Sequence, residues 1–139
     1  MRIYVASSWR TTRHPEVVQA LREAGHDVYD YREKGRNHVD LGLERDYSLV
    51  ELRDLLTGHE VEDILDRDLH NLEEADALVL VLPSGRSAHW EAGSASGFGI
   101  VTCLLWEPCE PEFIYGTFDI VANDIQDIIE HLSEYSDAC

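Results

Sequence analysis

Apolar residues along the chain recur with two periods, and the switches between them mark out the elements. Arg2 to Ala6 is a β-branched and aromatic run closed by Ser7-Ser8, which predicts a short strand and a turn. His14 to Ala24 places Val17, Val18 and Leu21 at helical spacing and stops at Gly25. His26 to Tyr31 predicts a second strand. The polar stretch Arg32 to Tyr47, with Gly35 and Gly42 and no clear period, predicts a long loop. Ser48 opens S-L-V-E, a capping box in which Glu51 reaches back, followed by a short helix to Thr57. A further helix from about Glu60 to Glu74 carries Val61, Ile64, Leu65, Leu69 and Leu72 on one stripe.

Ala77 to Leu82 is apolar on both faces, as a central strand of a covered parallel sheet must be. Pro83 ends it, Ser84 to Ser87 form a loop, and a small-residue helix runs from Ala88 to about Gly97, with Gly93, Ser94 and Ala95 expected to let it approach the sheet closely. Ile100 to Leu105 reads as another buried strand. A loop over Trp106 to Pro111, a helical turn, a short strand around Phe118 to Val121 and a helix from Asp124 to about Tyr135 complete the chain. This alternation predicts an α/β fold: a three-layer sandwich around a five-stranded parallel sheet in the flavodoxin-like order 2-1-3-4-5, with residues 1–139 as a single domain. Ligands of such sheets bind beyond the carboxyl ends of the strands. That rule groups three loops: Ser7 to Arg13, Arg32 to Tyr47 and Pro83 to Ser87.

Charge narrows the choice of partner. The chain has 11 Lys and Arg against 28 Asp and Glu, a net charge of -17, and no basic residue follows Arg86. Nucleic acid and anionic membrane surfaces both require a Lys/Arg face, so neither is expected as a partner; a small nucleotide needs only a few local donors. No apolar run is long enough to span a bilayer, and the N-terminal residues show no signal peptide, so a cytoplasmic location is expected. Cys103, Cys109 and Cys139 show no C-x-x-C spacing and read as reduced thiols. The seven His are scattered. Asp66, Asp68 and His70 alternate on a helix and so point apart, and no metal site is expected.

Two carboxylates stand out as candidates for chemistry. Glu91 falls in the opening turns of the helix that begins at Ala88, where the helix dipole favours the ionised form and small neighbours leave space. A purely capping role lacks its usual partner, because Ala88 stands three residues earlier. Asp68 lies among Asp63, Asp66, Glu73 and Glu74, and by itself reads as part of a solvated acidic face. Ser7, Ser8 and Arg10 at one strand end, and Gly85, Arg86 and Ser87 before a helix, suit an anion such as phosphate. Neither loop is a P-loop, and no dinucleotide fingerprint follows a strand, so no cofactor is expected.

Three segments resemble the nucleoside 2-deoxyribosyltransferase superfamily, which includes 2'-deoxynucleoside 5'-phosphate N-hydrolases and pyrimidine-nucleotide N-glycosidases. They are I-Y-V-A-S-S-W (Ile3 to Trp9), D-L-x-x-L-x-x-A-D (Asp68 to Asp76) and L-P-S-G-R-S-A-H-W-E-A-G (Leu82 to Gly93), in that order over most of the chain. The resemblance implies Glu91 as nucleophile, Asp68 as its assistant and Tyr4 as the residue that holds the nucleophile. It further implies Ser8, Trp9, Arg10, Arg86 and Ser87 as substrate contacts, with Ser87, Ser8 and Arg10 similar to the residues that bind a 5'-phosphate. Two departures stand out. The loop before Glu91 is shorter than in the transferases and lacks their base-contacting Asp, and the Asn supplied there by a neighbouring subunit has no clear counterpart, leaving Asp119 or Asn123 as substitutes. Family members are homo-oligomers, so a homodimer or larger assembly is expected.

The resulting expectation is an enzyme that cleaves or transfers the N-glycosidic bond of a nucleoside or nucleoside 5'-monophosphate through a covalent glycosyl-enzyme on Glu91. The alternative is a non-catalytic nucleotide-binding sensor or partner module of the same fold, since fold does not fix function.

Overall fold

The computed structural model describes residues 1–33, 43 and 45–137. Its elements follow one another as β1 (Arg2–Ala6), α1 (His14–Glu23), β2 (Asp27–Tyr29), α2 (Leu49–Leu56), α3 (His59–Glu73), β3 (Ala77–Val81), α4 (Arg86–Gly97), β4 (Val101–Leu105), β5 (Ile120–Ala122) and α5 (Ile125–Asp137), with 3-10 turns at Tyr31–Glu33 and Phe113–Thr117. The strands form one sheet in the order β2-β1-β3-β4-β5, every pair parallel. This is the α/β architecture and strand order expected from the sequence.

Because successive strand residues point to opposite faces, the sheet has two distinct cores. Ile3, Val5, Val79, Val81, Cys103 and Leu105 face α1 and α5, which bring Val17, Val18, Leu21, Ile128 and Leu132. Tyr4, Ala6, Leu78, Leu80 and Leu104 face the other way, against Leu72 of α3 and the alanines Ala88, Ala92 and Ala95 of α4. Gly25 (φ +91°) and Gly99 (φ +76°) follow α1 and α4 in the left-handed conformation that lets the chain leave a helix abruptly.

Several boundaries differ from the sequence reading. The second strand ends at Tyr29, since Tyr31 to Glu33 form a 3-10 turn; most of the long loop expected over Arg32 to Tyr47 lies outside the described residues. Ser48 caps α2 by accepting from the Glu51 amide at 3.3 Å. The Glu51 carboxylate, however, pairs with Arg45 at 3.0 Å instead of reaching back, so the box is only half formed. Gly93 is not the point of close approach: a Cβ there would meet nothing within 4 Å, and the alanine face of α4 lies against the sheet instead. Finally, α4 starts at Arg86, ahead of the expected Ala88, which moves Glu91 out of the first turn.

Candidate functional site

The site grows out of one register position. Tyr4 points to the α3/α4 face and is 1% exposed. Parallel pairing of β1 with β2 sets Tyr29 beside it, and the two rings lie 5.2 Å apart with a tilt of 31°. Each phenol serves a different carboxylate. The Tyr29 hydroxyl donates to Asp68 Oδ1 at 2.5 Å, and the Tyr4 hydroxyl faces the Glu91 carboxyl closely enough for the two to shift each other's pKa. Asp68 comes from α3 and Glu91 from α4, so four elements converge on one patch near the carboxyl ends of β1 and β2. The structure thus brings Tyr4, Asp68 and Glu91 together.

Burial governs the electrostatics. The Glu91 carboxyl is pushed up to about 7, first by desolvation and further by the Asp68 charge, with the Tyr4 hydrogen bond opposing both. The sequence reading expected the helix dipole to favour the ionised form. With α4 beginning at Arg86, Glu91 lies in its second turn, where the dipole has faded and loss of water wins. Asp68 is also raised by burial, while the Tyr29 hydrogen bond and the Arg67 guanidinium pull it back. Asp68 is therefore not part of a fully solvated acidic face: its side chain is 22% exposed and Arg67 Nε lies 3.8 Å from Oδ1. Both tyrosines are held above the usual phenol range by burial and so donate as neutral phenols.

The grouped loops do meet. The Ser8 amide donates to Ser84 Oγ at 3.1 Å, and Thr11 Oγ1 donates to the Pro83 carbonyl at 2.7 Å. Arg32 Nη2 donates to the carbonyls of Ser8 and Thr11 at 2.7 and 2.8 Å, with its guanidinium 5.7 Å from the Trp9 ring centroid. Trp9 packs edge-on against Tyr31, whose hydroxyl donates to the Ser7 carbonyl at 2.9 Å. Ser8 Oγ accepts from the Arg10 amide at 3.2 Å. Arg86 and Ser87 form the exposed first turn of α4, whose N-cap, Gly85, offers no side-chain cap. Ser87 lies one turn before Glu91 on the same helical face.

Sequence reasoning missed the clamp beneath the first loop. His14, fully buried, contacts Ser7 Oγ through Nδ1 at 2.6 Å and Asp30 Oδ1 through Nε2 at 2.7 Å. The carboxylate accepts from Nε2–H, so the neutral ring accepts the Ser7 proton at Nδ1. Desolvation keeps the ring below its usual pKa despite Asp30. Tyr29, Tyr31 and Arg32 were missed as well. Their signal was only the Y-D-Y-R run, Tyr29 to Arg32, at the end of the second strand. Asp119, a substitute for the neighbour's Asn, is instead engaged within the chain: Oδ2 accepts from the Thr102 amide at 2.7 Å. Among the described residues no group of three or more His, Cys, Asp or Glu is arranged for a metal ion, and no helix is long and apolar enough to cross a membrane. A cleft of about 200 Å³ lies apart along β2, lined by Arg2, Asp27, Asn71 and others; it shares only Tyr29 with the carboxylate pair and its tyrosines.

No protein-family profile matches the sequence, and no curated protein matches it. Solved structures do. A 2-deoxyribosyltransferase from Bacillus psychrosaccharolyticus superposes with a TM-score of 0.64 at 19% identity, covering 93% of this chain and 90% of that one. A CMP N-glycosidase from Clostridium botulinum superposes with a TM-score of 0.53 at 16% identity, covering 96% and 99%. Over almost its whole length the chain shares the fold of these two proteins.

Proposed function

We propose that the protein cleaves or transfers the N-glycosidic bond of a nucleoside or nucleoside 5'-monophosphate. The observation that carries this reading is the pair of half-buried carboxylates, Glu91 and Asp68, each facing its own tyrosine under the loop cluster. The printed activities of the two structural relatives, transfer of 2-deoxyribosyl groups and N-glycosidic cleavage of CMP, lie in the same class.

In the first step a Glu91 oxygen attacks C1' of the sugar. The bond from C1' to the base nitrogen breaks, its electron pair leaves with the base, and Asp68 donates the proton that the base needs. In the second step water or a second base attacks C1' from the vacated side, Asp68 takes the displaced proton, and the ester to Glu91 breaks. Two inversions give net retention. Tyr4 holds the Glu91 carboxylate and releases it as the ester forms. The competent form carries one proton on the pair, on Asp68 with Glu91 ionised. Because Glu91 is the carboxyl pushed up to about 7, this is the minor arrangement of the singly protonated pair, and it disappears when the pair loses its last proton. kcat/KM should therefore fall as pH rises through about 7, where the pair loses that proton.

The first turn of α4, with exposed Arg86 and Ser87 and an uncapped N-terminus, suits a 5'-phosphate, with Ser8, Trp9 and Arg10 opposite. Incubation with each common nucleoside and its monophosphate, with and without a second free base, should release or exchange base on chromatography. Saturable binding heat without product would favour the sensor alternative. Ser87→Ala and Arg10→Ala should each weaken a monophosphate by about 1–3 kcal/mol more than the matching nucleoside. Equal losses would remove phosphate from the reading. The assembly is proposed to be at least a homodimer, to be checked by sedimentation at low and high salt.

A further inference from the structure

Tyr29 belongs to none of the motifs that pointed to this site, yet it makes the shortest side-chain contact there. Its hydroxyl is 2.5 Å from Asp68 Oδ1, its ring stacks on Tyr4 at 5.2 Å, and β1/β2 pairing places the two tyrosines side by side. A phenol has one proton to donate, so a hydroxyl committed to Oδ1 fixes the carboxyl plane and leaves Oδ2 for another partner. We propose that Tyr29 is a positioning residue for Asp68, the counterpart on β2 of Tyr4 on β1, so that each carboxylate of the pair is aimed and tuned by its own tyrosine. The proposal rests on the glycosidic reading for its consequence in turnover, but not for the coupling itself.

The groups that face Asp68 among the described residues are Tyr29 from β2, Arg67 from its own helix, Glu91 from α4 and Tyr4 from β1. Glu91 disfavours ionisation of Asp68, and the Arg67 guanidinium favours it. The Tyr29 hydrogen bond acts in the same direction as Arg67, because a neutral donor stabilises the carboxylate more than the acid. Without it Asp68 should hold its proton to higher pH and rotate more freely.

The test is the titration of Asp68 by carbon-13 NMR of aspartate-labelled protein, its resonance assigned by absence in Asp68→Asn. Tyr29→Phe removes one oxygen and keeps the stacked ring; thermal unfolding reports whether the fold is retained. The Asp68 midpoint should rise by about one pH unit in Tyr29→Phe and much less in Tyr4→Phe. An unmoved or lowered midpoint in a folded Tyr29→Phe protein would overturn the proposal. In turnover, Tyr29→Phe should shift the acid limb of kcat/KM upward and lower kcat more than it changes KM, while Tyr4→Phe shifts the alkaline limb. If wild-type protein releases no base from any substrate, the glycosidic reading fails, and the NMR midpoint still decides the coupling. If base is released and the midpoint does not move, the coupling alone fails.

Discussion

The two faces of the sheet are built from the same strands, one residue out of step, and could hardly differ more. Toward α1 and α5 the strands present Ile3, Val5, Val79, Val81 and Leu105, and the helices answer with Val17, Leu21, Ile128 and Leu132. Toward α3 and α4 they present Tyr4 and Ala6, and α4 answers with three alanines flanking Glu91. Large aliphatic side chains fill one layer, and there burial is almost wholly favourable. On the other face the small residues of α4 let its backbone come near, and near the carboxyl ends of β1 and β2 burial falls on carboxyl and phenol groups. Loss of water there is unfavourable for the charged form and raises both carboxylates. One face holds the fold together, while the other places ionisable groups where they are poorly solvated.

The comparison would be broken most directly by Glu91→Gln. The amide keeps the size but is a weak nucleophile, so base release should fall roughly a thousandfold or more with substrate binding retained. Comparable turnover in this variant would remove the contrast between the faces. On the aliphatic side, Leu21→Ala should cost about 2–5 kcal/mol of stability by urea unfolding, with kcat/KM unchanged at temperatures where the protein is folded.

A sharper form of the comparison uses stability on the reactive face. Glu91 is raised when folded, so the native state binds more protons than the unfolded chain between roughly pH 4.5 and 7. Its contribution to stability is therefore fully present at low pH and lost as pH rises through about 7. Glu91→Gln has no such loss, and at about pH 8 it should be more stable than wild type by on the order of 1–3 kcal/mol. Equal stability would mean that Glu91 is well solvated.

The smallest effect concerns His14, which is lowered when folded. There the unfolded chain binds the extra proton, so stability falls as pH drops through the usual histidine range. His14→Gln keeps a hydrogen-bonding side chain for Ser7 and Asp30 and should flatten this part of the curve between about pH 7.5 and 5.5. A curve parallel to wild type would show that burial of the ring does not carry the dependence.

Much of this was legible in the chain itself. The apolar run at Ala77 to Val81, the Gly stop after α1, and the alternation of strand and helix suffice for a parallel α/β sheet, because local periodicity and right-handed crossovers leave few arrangements. Glu91, Asp68 and Tyr4 were found through the resemblance more than through their own surroundings in sequence. Asp68 in particular reads locally as one of several surface acids. What singles it out is a tyrosine on β2, 39 residues earlier in the chain.

Sequence alone determined which residues alternate, where helices begin and stop within a few positions, and that the chain is strongly acidic. Tertiary structure alone decided that Tyr29 lies against Tyr4, that the Tyr29 phenol takes the Asp68 carboxylate, and that His14 is sealed beneath the first loop. It also decided that Glu91 is raised rather than held ionised. The physical reason is the range of the forces. Periodicity and capping act over a few residues of chain, whereas desolvation and hydrogen bonds between strands and helices depend on neighbours brought together only by the register of the folded sheet.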